Sequence, residues 1–108
     1  MIKLMIWFFA SIPWVPVHTP VQELWGPNTD RWEPLVEVAL EAYGLEDQKS
    51  RFMRVLNCES RGDPNAVNKS SDASGLMQHM PQWWDWRAEE AGFAGASVFN
   101  PVANIFAS

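Results

Sequence analysis

Cysteine is almost absent: Cys58 is the only one, so no intrachain disulfide can form and the redox compartment cannot be read from thiol usage. Histidine is scarce as well, and His18, His79 and Cys58 fall at no zinc-ligand spacing, so no metal site is expected. The net charge is −5 and no lysine or arginine cluster interrupts it. Phosphate binding depends on concentrated positive charge, which argues against a nucleic-acid partner and leaves a neutral or mixed-charge ligand as the expectation. Long apolar runs are missing too. The opening "MIKLMIWFFASIPWVPV" is short and is interrupted by Pro13 and Pro16, so no stable membrane span is expected. Internal repeats, hairpin signals and sustained strand-type alternation are all lacking.

What is present fits one small globular domain. Apolar residues make up 47% and charged residues 19% of the chain, a balance that excludes wholesale disorder, and 108 residues leave room for one modest core. Residues 1–27 form an apolar, proline-rich leader. Lys3 followed by Leu4 to Ala10 has the order of a secretory signal, without a small-x-small cleavage site after it. The other reading is an apolar arm packed on the domain or on a partner. Prolines at 13, 16, 20 and 27 predict little regular structure before Trp32.

The domain is expected over residues 28–108. Asp30 can cap a helix in which Trp32, Leu35, Val36, Ala39, Leu40 and Tyr43 recur at helical spacing until Gly44. A second helix is predicted from Asp47 to Ser60, closed by Gly62 and the following "DP". The segment "GDPNAVNKSSDASG", Gly62 to Gly75, is rich in turn formers; a polar loop of this length inside a small domain points to function or to disorder. Pro81 opens a third helix that Gly92 ends, and "NP" at Asn100 and Pro101 opens a fourth that runs to Ser108. The fold class is therefore all-α, or α with a minor hairpin in the polar loop.

Within "RFMRVLNCESRGDP", Phe52, Val55 and Leu56 recur on one side of the second helix and Glu59 comes next on that side. Removing a carboxyl from water penalises its charged form, and the partly negative end of a helix acts in the same direction. A carboxylic acid kept protonated is what general-acid cleavage of a glycosidic bond requires. Helix phase alone also allows a solvated surface glutamate.

The string "ESRGDPNAVNKSSDASGLMQHMP", Glu59 to Pro81, resembles the lytic transglycosylase SLT domain of the lysozyme-like superfamily. The family pattern is Glu-Ser at a helix end, an "NP-x-A" turn, and then "(S/A)-x-GLMQ". Here these are Glu59-Ser60, Asp63-Pro64-Asn65-Ala66 and Ser74-Gly75-Leu76-Met77-Gln78. "FNPVANI", Phe99 to Ile105, is similar to the family's "DP-x-x-NI" helix start. The resemblance covers about residues 35 to 108. It implies a lysozyme-like fold, C-terminally partial because the family continues for several helices, and peptidoglycan glycan strands as substrate. It further implies Glu59 as the single acid and base that cleaves the bond between N-acetylmuramic acid and N-acetylglucosamine, leaving 1,6-anhydro ends. Met77 would give an apolar wall and Gln78 an amide for an acetamido group. Ser60, Ser74 and Asn104 are further candidate contacts, Asn104 either as support for the cleft or as a helix-surface residue. Asn68 stands where the family commonly has a sugar-touching Ser, and an amide can donate as well as accept. No cofactor is implied. Secretion, the periplasm, the cell wall or a phage virion would give access to the substrate.

Three further features carry competing readings. Asp72, in the polar loop, is the candidate second carboxylate for lysozyme-type hydrolysis, which needs a base on the opposite sugar face; as a type it is also a turn former. Cys58 with His79 suggests a cysteine peptidase, but a thiolate is disfavoured near a helix C-terminus. In "WWDW", Trp83 and Trp86 share one helix side and Trp84 lies on another, so one side must pack inward while the other can edge a cleft. A noncatalytic wall-binding or virion structural protein is the alternative from a different functional class.

Overall fold

The computed structural model describes residues 24–108; the leader and signal readings, and His18, fall on residues outside that range, apart from the leader's last four. The described residues form five α-helices and one short 3-10 turn, with no β-strand among them. The helices are α1, Pro27–Asp30; α2, Glu33–Ala42; α3, Lys49–Ser60, entered through the 3-10 turn Glu46–Gln48; α4, Pro81–Glu90; and α5, Pro101–Phe106. The all-α expectation holds, and the minor hairpin exists only as two isolated antiparallel bridges, Val67 with Ser74 and Ser74 with His79.

Two helix starts differ from the sequence reading. Asp30 does not cap α2. It ends α1 and turns its buried carboxylate back onto the Trp25 and Gly26 N–H groups at 3.2 and 3.1 Å. Prolines explain both starts: Pro27 and Pro34 sit in the first turns of α1 and α2, where a missing N–H leaves no hydrogen bond unmade. At the other end of the domain the Asn100 side chain accepts from Val102 N and Ala103 N at 3.0 and 3.1 Å, the arrangement that favours Asn before a helix. α5 closes at Phe106 rather than continuing to Ser108.

The core has two parts. In one, Val36, Ala39 and Leu40 of α2 meet Met53 and Leu56 of α3, Leu76 of the loop and Ile105 of α5. In the other, Trp84 and Ala88 of α4 pack on Ala103 of α5. α5 therefore serves both clusters with side chains two residues apart. Trp84 is the inward indole expected within "WWDW", and its ring N–H donates to Ala96 O at 2.9 Å, satisfying the polar edge that burial would otherwise orphan. Trp83 and Trp86 are more than half exposed.

Candidate active site

The inward line of α3 is Met53, Leu56 and Ser60. Phe52, Val55 and Glu59 lie on a parallel line rotated by one residue: Phe52 is half-buried, while Val55 and Glu59 are exposed. Leu56 and Glu59 thus belong to different lines, and the dry surroundings expected of Glu59 are not supplied by the described residues. The reason is geometric. Adjacent positions on a helix differ by about 100°, so one step in phase moves a side chain from core to surface.

Phe52 and Val55 border an apolar groove of about 800 Å³, together with Leu40, Tyr43, Met77 and Trp86. Glu59 follows Val55 at i+4, one turn farther along the same side. The helix end that carries it is strongly held. Thr29 Oγ1 donates to Asn57 Oδ1 at 2.7 Å, and Trp32 Nε1 donates to Gly62 O at 2.9 Å. The chain leaves α3 through two successive left-handed residues, Arg61 (φ 56°) and Gly62 (φ 79°). Gly62 is required for a second reason: a Cβ there would run into the backbone of Asn28 and Thr29. The ion pairs among the described residues both belong to Lys49, which joins Glu33 and Glu37, so no cation pairs with Glu59 there.

Ser60 is buried, and its hydroxyl is used twice, donating to Leu56 O at 3.3 Å and accepting from Gly62 N at 3.2 Å. It locks the helix end instead of facing a ligand. The polar loop is ordered by short-range turns. Asn68 Oδ1 accepts from Ser70 N at 2.8 Å and Ser71 N at 3.2 Å, Asp72 adopts φ 67°, and Ser74 Oγ donates to Asp72 O at 2.8 Å. Asn68 and Asp72 are exposed at this turn while Ser74 is buried. Asp72 has the left-handed backbone that Asp tolerates better than most residues, as a turn former should.

The Gly75–Gln78 segment is pinned to α5. Asn104, fully buried, accepts from Met77 N at 2.7 Å and donates to Val98 O at 2.8 Å and Ser74 O at 3.3 Å. Its candidate role as a ligand contact is therefore corrected, because a side chain with no exposed surface cannot reach a glycan. It supports the cleft instead. Gly75 (φ 83°) is needed so that the chain can approach this amide, which an added Cβ would strike. Gln78, half-buried at φ 55°, donates its side-chain nitrogen to Gly75 O at 3.0 Å and Ala66 O at 3.2 Å. Two carbonyls on one side of the amide fix its orientation and leave Oε1 as an acceptor. Met77, half-buried, lines the groove.

His79 carries more of this arrangement than its sequence context suggested. It is 3% exposed; Nε2 donates to Asn104 O at 2.9 Å and Nδ1 accepts from Arg87 at 3.2 Å. The acceptor carbonyl fixes the Nε2–H tautomer. Burial lowers the proton affinity of the ring, the Asn104 carbonyl opposes that shift, and the Arg87 charge adds to it. Cys58 is exposed, and neither ring nitrogen of His79 is turned to it. Nothing in the residue's local sequence pattern marked this network, because its partners lie 8 and 25 positions away.

With the helix-end glutamate, the looped segment and its buried asparagine in place, comparison with family models gives a match to the transglycosylase SLT domain over residues 35–108. The chain belongs to this family. The match spans about two-thirds of the chain, and the lysozyme-like SLT fold agrees with the helical architecture described above. Comparison with curated proteins found no match. As an SLT domain the chain is tied to transglycosylase chemistry on peptidoglycan. Among the described residues no group of three or more His, Cys, Asp or Glu side chains could hold a metal ion, and no helix is long and apolar enough to cross a membrane.

Proposed function

We propose that this SLT domain cleaves the bond between N-acetylmuramic acid and N-acetylglucosamine without water, with Glu59 as the sole acid and base. The observation that supports this reading is the position of Glu59 at an anchored helix end, one turn past Val55, which borders the groove that Met77 also lines. The Glu59 carboxyl gives its proton to the departing glycosidic oxygen as that bond breaks. The resulting carboxylate takes the proton of the muramyl 6-hydroxyl as its oxygen bonds to the anomeric carbon. A 1,6-anhydro end results, and Glu59 regains the form in which it began. A glycan lying along the groove covers a carboxyl that the free protein leaves in water. Met77 supplies an apolar wall to the sugar, and Gln78 Oε1 accepts from an acetamido N–H. The site of action is the cell wall, reached by secretion or from a virion.

The exposure of Glu59 favours a second reading, in which the domain binds glycan strands without cutting them. Hydrolysis with Asp72 as base is a third outcome of the same experiment. Digestion of purified peptidoglycan followed by mass spectrometry separates them: anhydro ends mark transglycosylation, reducing ends hydrolysis, and retention of intact strands binding alone. Glu59→Gln is expected to abolish release while changing stability by less than about 0.5 kcal/mol, as for other surface substitutions. Release at the wild-type rate by that variant would overturn the assignment.

A further inference from the structure

Among the buried groups that the proposed chemistry leaves unused, His79 has the widest connections. Its backbone pairs with Ser74 in both directions at 3.0 Å, forming the bridge that closes the loop around Gly75 to Gln78. Its ring joins that loop to the two remaining elements of the second cluster: α5 through Asn104 O, and α4 through Arg87 and the tilted Trp84 ring at 5.1 Å. Asn104 in turn holds Met77 N and Ser74 O. The polar groups facing the imidazole are Arg87 from α4, the neutral Asn104 carbonyl and the Ser108 hydroxyl at 3.3 Å from the C-terminal side; Ser74 of the loop meets the His79 backbone. Among the described residues no carboxylate stands against the ring to take up a second positive charge.

We propose that His79 is a positioning residue whose protonation breaks its tie to Arg87 of α4 and loosens the loop that it closes around Met77 and Gln78, so that glycan engagement at this site is lost on the acid side. This rests on the proposed glycan-cleaving function. The Nδ1 lone pair receives an Arg87 N–H only while the ring is neutral. A proton on Nδ1 replaces that hydrogen bond with two cations in contact distance inside a mostly buried cluster, where like charges repel more strongly than in water. Nε2 can keep its hydrogen bond to Asn104, so the strain falls on the Arg87 side and on the loop that His79 terminates. In the folded state the ring holds its proton less readily than the ordinary value of 6.5. The stability that the neutral ring contributes is therefore full above that value, weakens as pH falls below it, and is gone once pH has passed the lowered folded value.

Amide exchange at Ser74 and His79, corrected for the intrinsic pH dependence of exchange, is the direct readout. In the wild-type chain it is expected to quicken several-fold between about pH 7.5 and about pH 5, on either side of the unperturbed imidazole value. His79→Gln offers an N–H to Asn104 and a carbonyl to Arg87 but does not titrate, so its exchange should stay flat. Equal acid-side loosening in both proteins overturns the proposal, as does its absence in the wild type. Should His79→Gln fail to fold, NMR titration of the wild-type imidazole decides: loosening must share its midpoint. Release from purified peptidoglycan, followed over the same range, tests the link to function. An acid-side fall in the wild type that His79→Gln lacks supports the link, and identical profiles overturn it. Loosening with no release at any pH leaves the switch standing and removes the glycan-cleaving reading instead.

Discussion

The α2–α3 pair and the loop between Gly62 and Met80 are held by different physics. The helices meet through Val36, Leu40, Met53 and Leu56, buried apolar side chains whose attraction is non-directional and tolerates small adjustments. The loop contributes Leu76 to that core, but its shape comes from directed hydrogen bonds, short-range turns within it and longer ties to Asn104 and His79. One region is robust by area, the other specific by partner. A buried polar network of the second kind specifies one geometry well, and it fails abruptly when a member is removed.

Three substitutions probe that contrast. Asn104→Leu should have the largest effect. It leaves Met77 N–H and Val98 O unpaired and takes one of two donors from Ser74 O, which keeps the His79 N–H; at 1–3 kcal/mol for each orphaned buried group the loss is about 2–6 kcal/mol. Urea unfolding measures it, and amide exchange should quicken at Gln78 and His79 more than within α2 and α3; uniform quickening would show that the two regions are one cooperative unit. Leu56→Ala, at a position with no exposed surface, should cost about 2–5 kcal/mol through a cavity between α2 and α3, with the exchange contrast reversed. Lys49→Met should cost under about 1 kcal/mol, since exposed ion pairs contribute little and salt screens them. A larger loss, abolished by high salt, would make the Glu33–Lys49–Glu37 bridge a third means of holding the helices.

The same contrast explains what could be read from the sequence. α2 and α3 were legible because apolar packing imposes a period on the chain, and α4 and α5 because Pro81, Pro101 and Asn100 announce helix starts. α1 is not: Pro27 closes a proline-rich stretch, and Asp30 has the chemistry of a cap for the following helix while its carboxylate serves the preceding turn. At the candidate site, the resemblance names Glu59, Met77 and Gln78 without their geometry. Periodicity mixed two adjacent lines of α3 and so drew Glu59 toward the core. The burial of Asn104 and Ser60 was hidden for another reason: their hydrogen-bond partners are backbone groups, which carry no side-chain signature. His79 had the same disguise. Its partners are a carbonyl and an arginine on other elements, invisible to any local pattern.

Asn104 lies 27 positions after the Met77 amide it receives. During synthesis this tie therefore cannot form until residue 104 has emerged, whereas α2 and α3 are near neighbours along the chain. The cost of closing so long a segment delays its contacts relative to local ones. Among the described residues, pairing of α2 with α3 is expected to precede the docking of Met77 on α5.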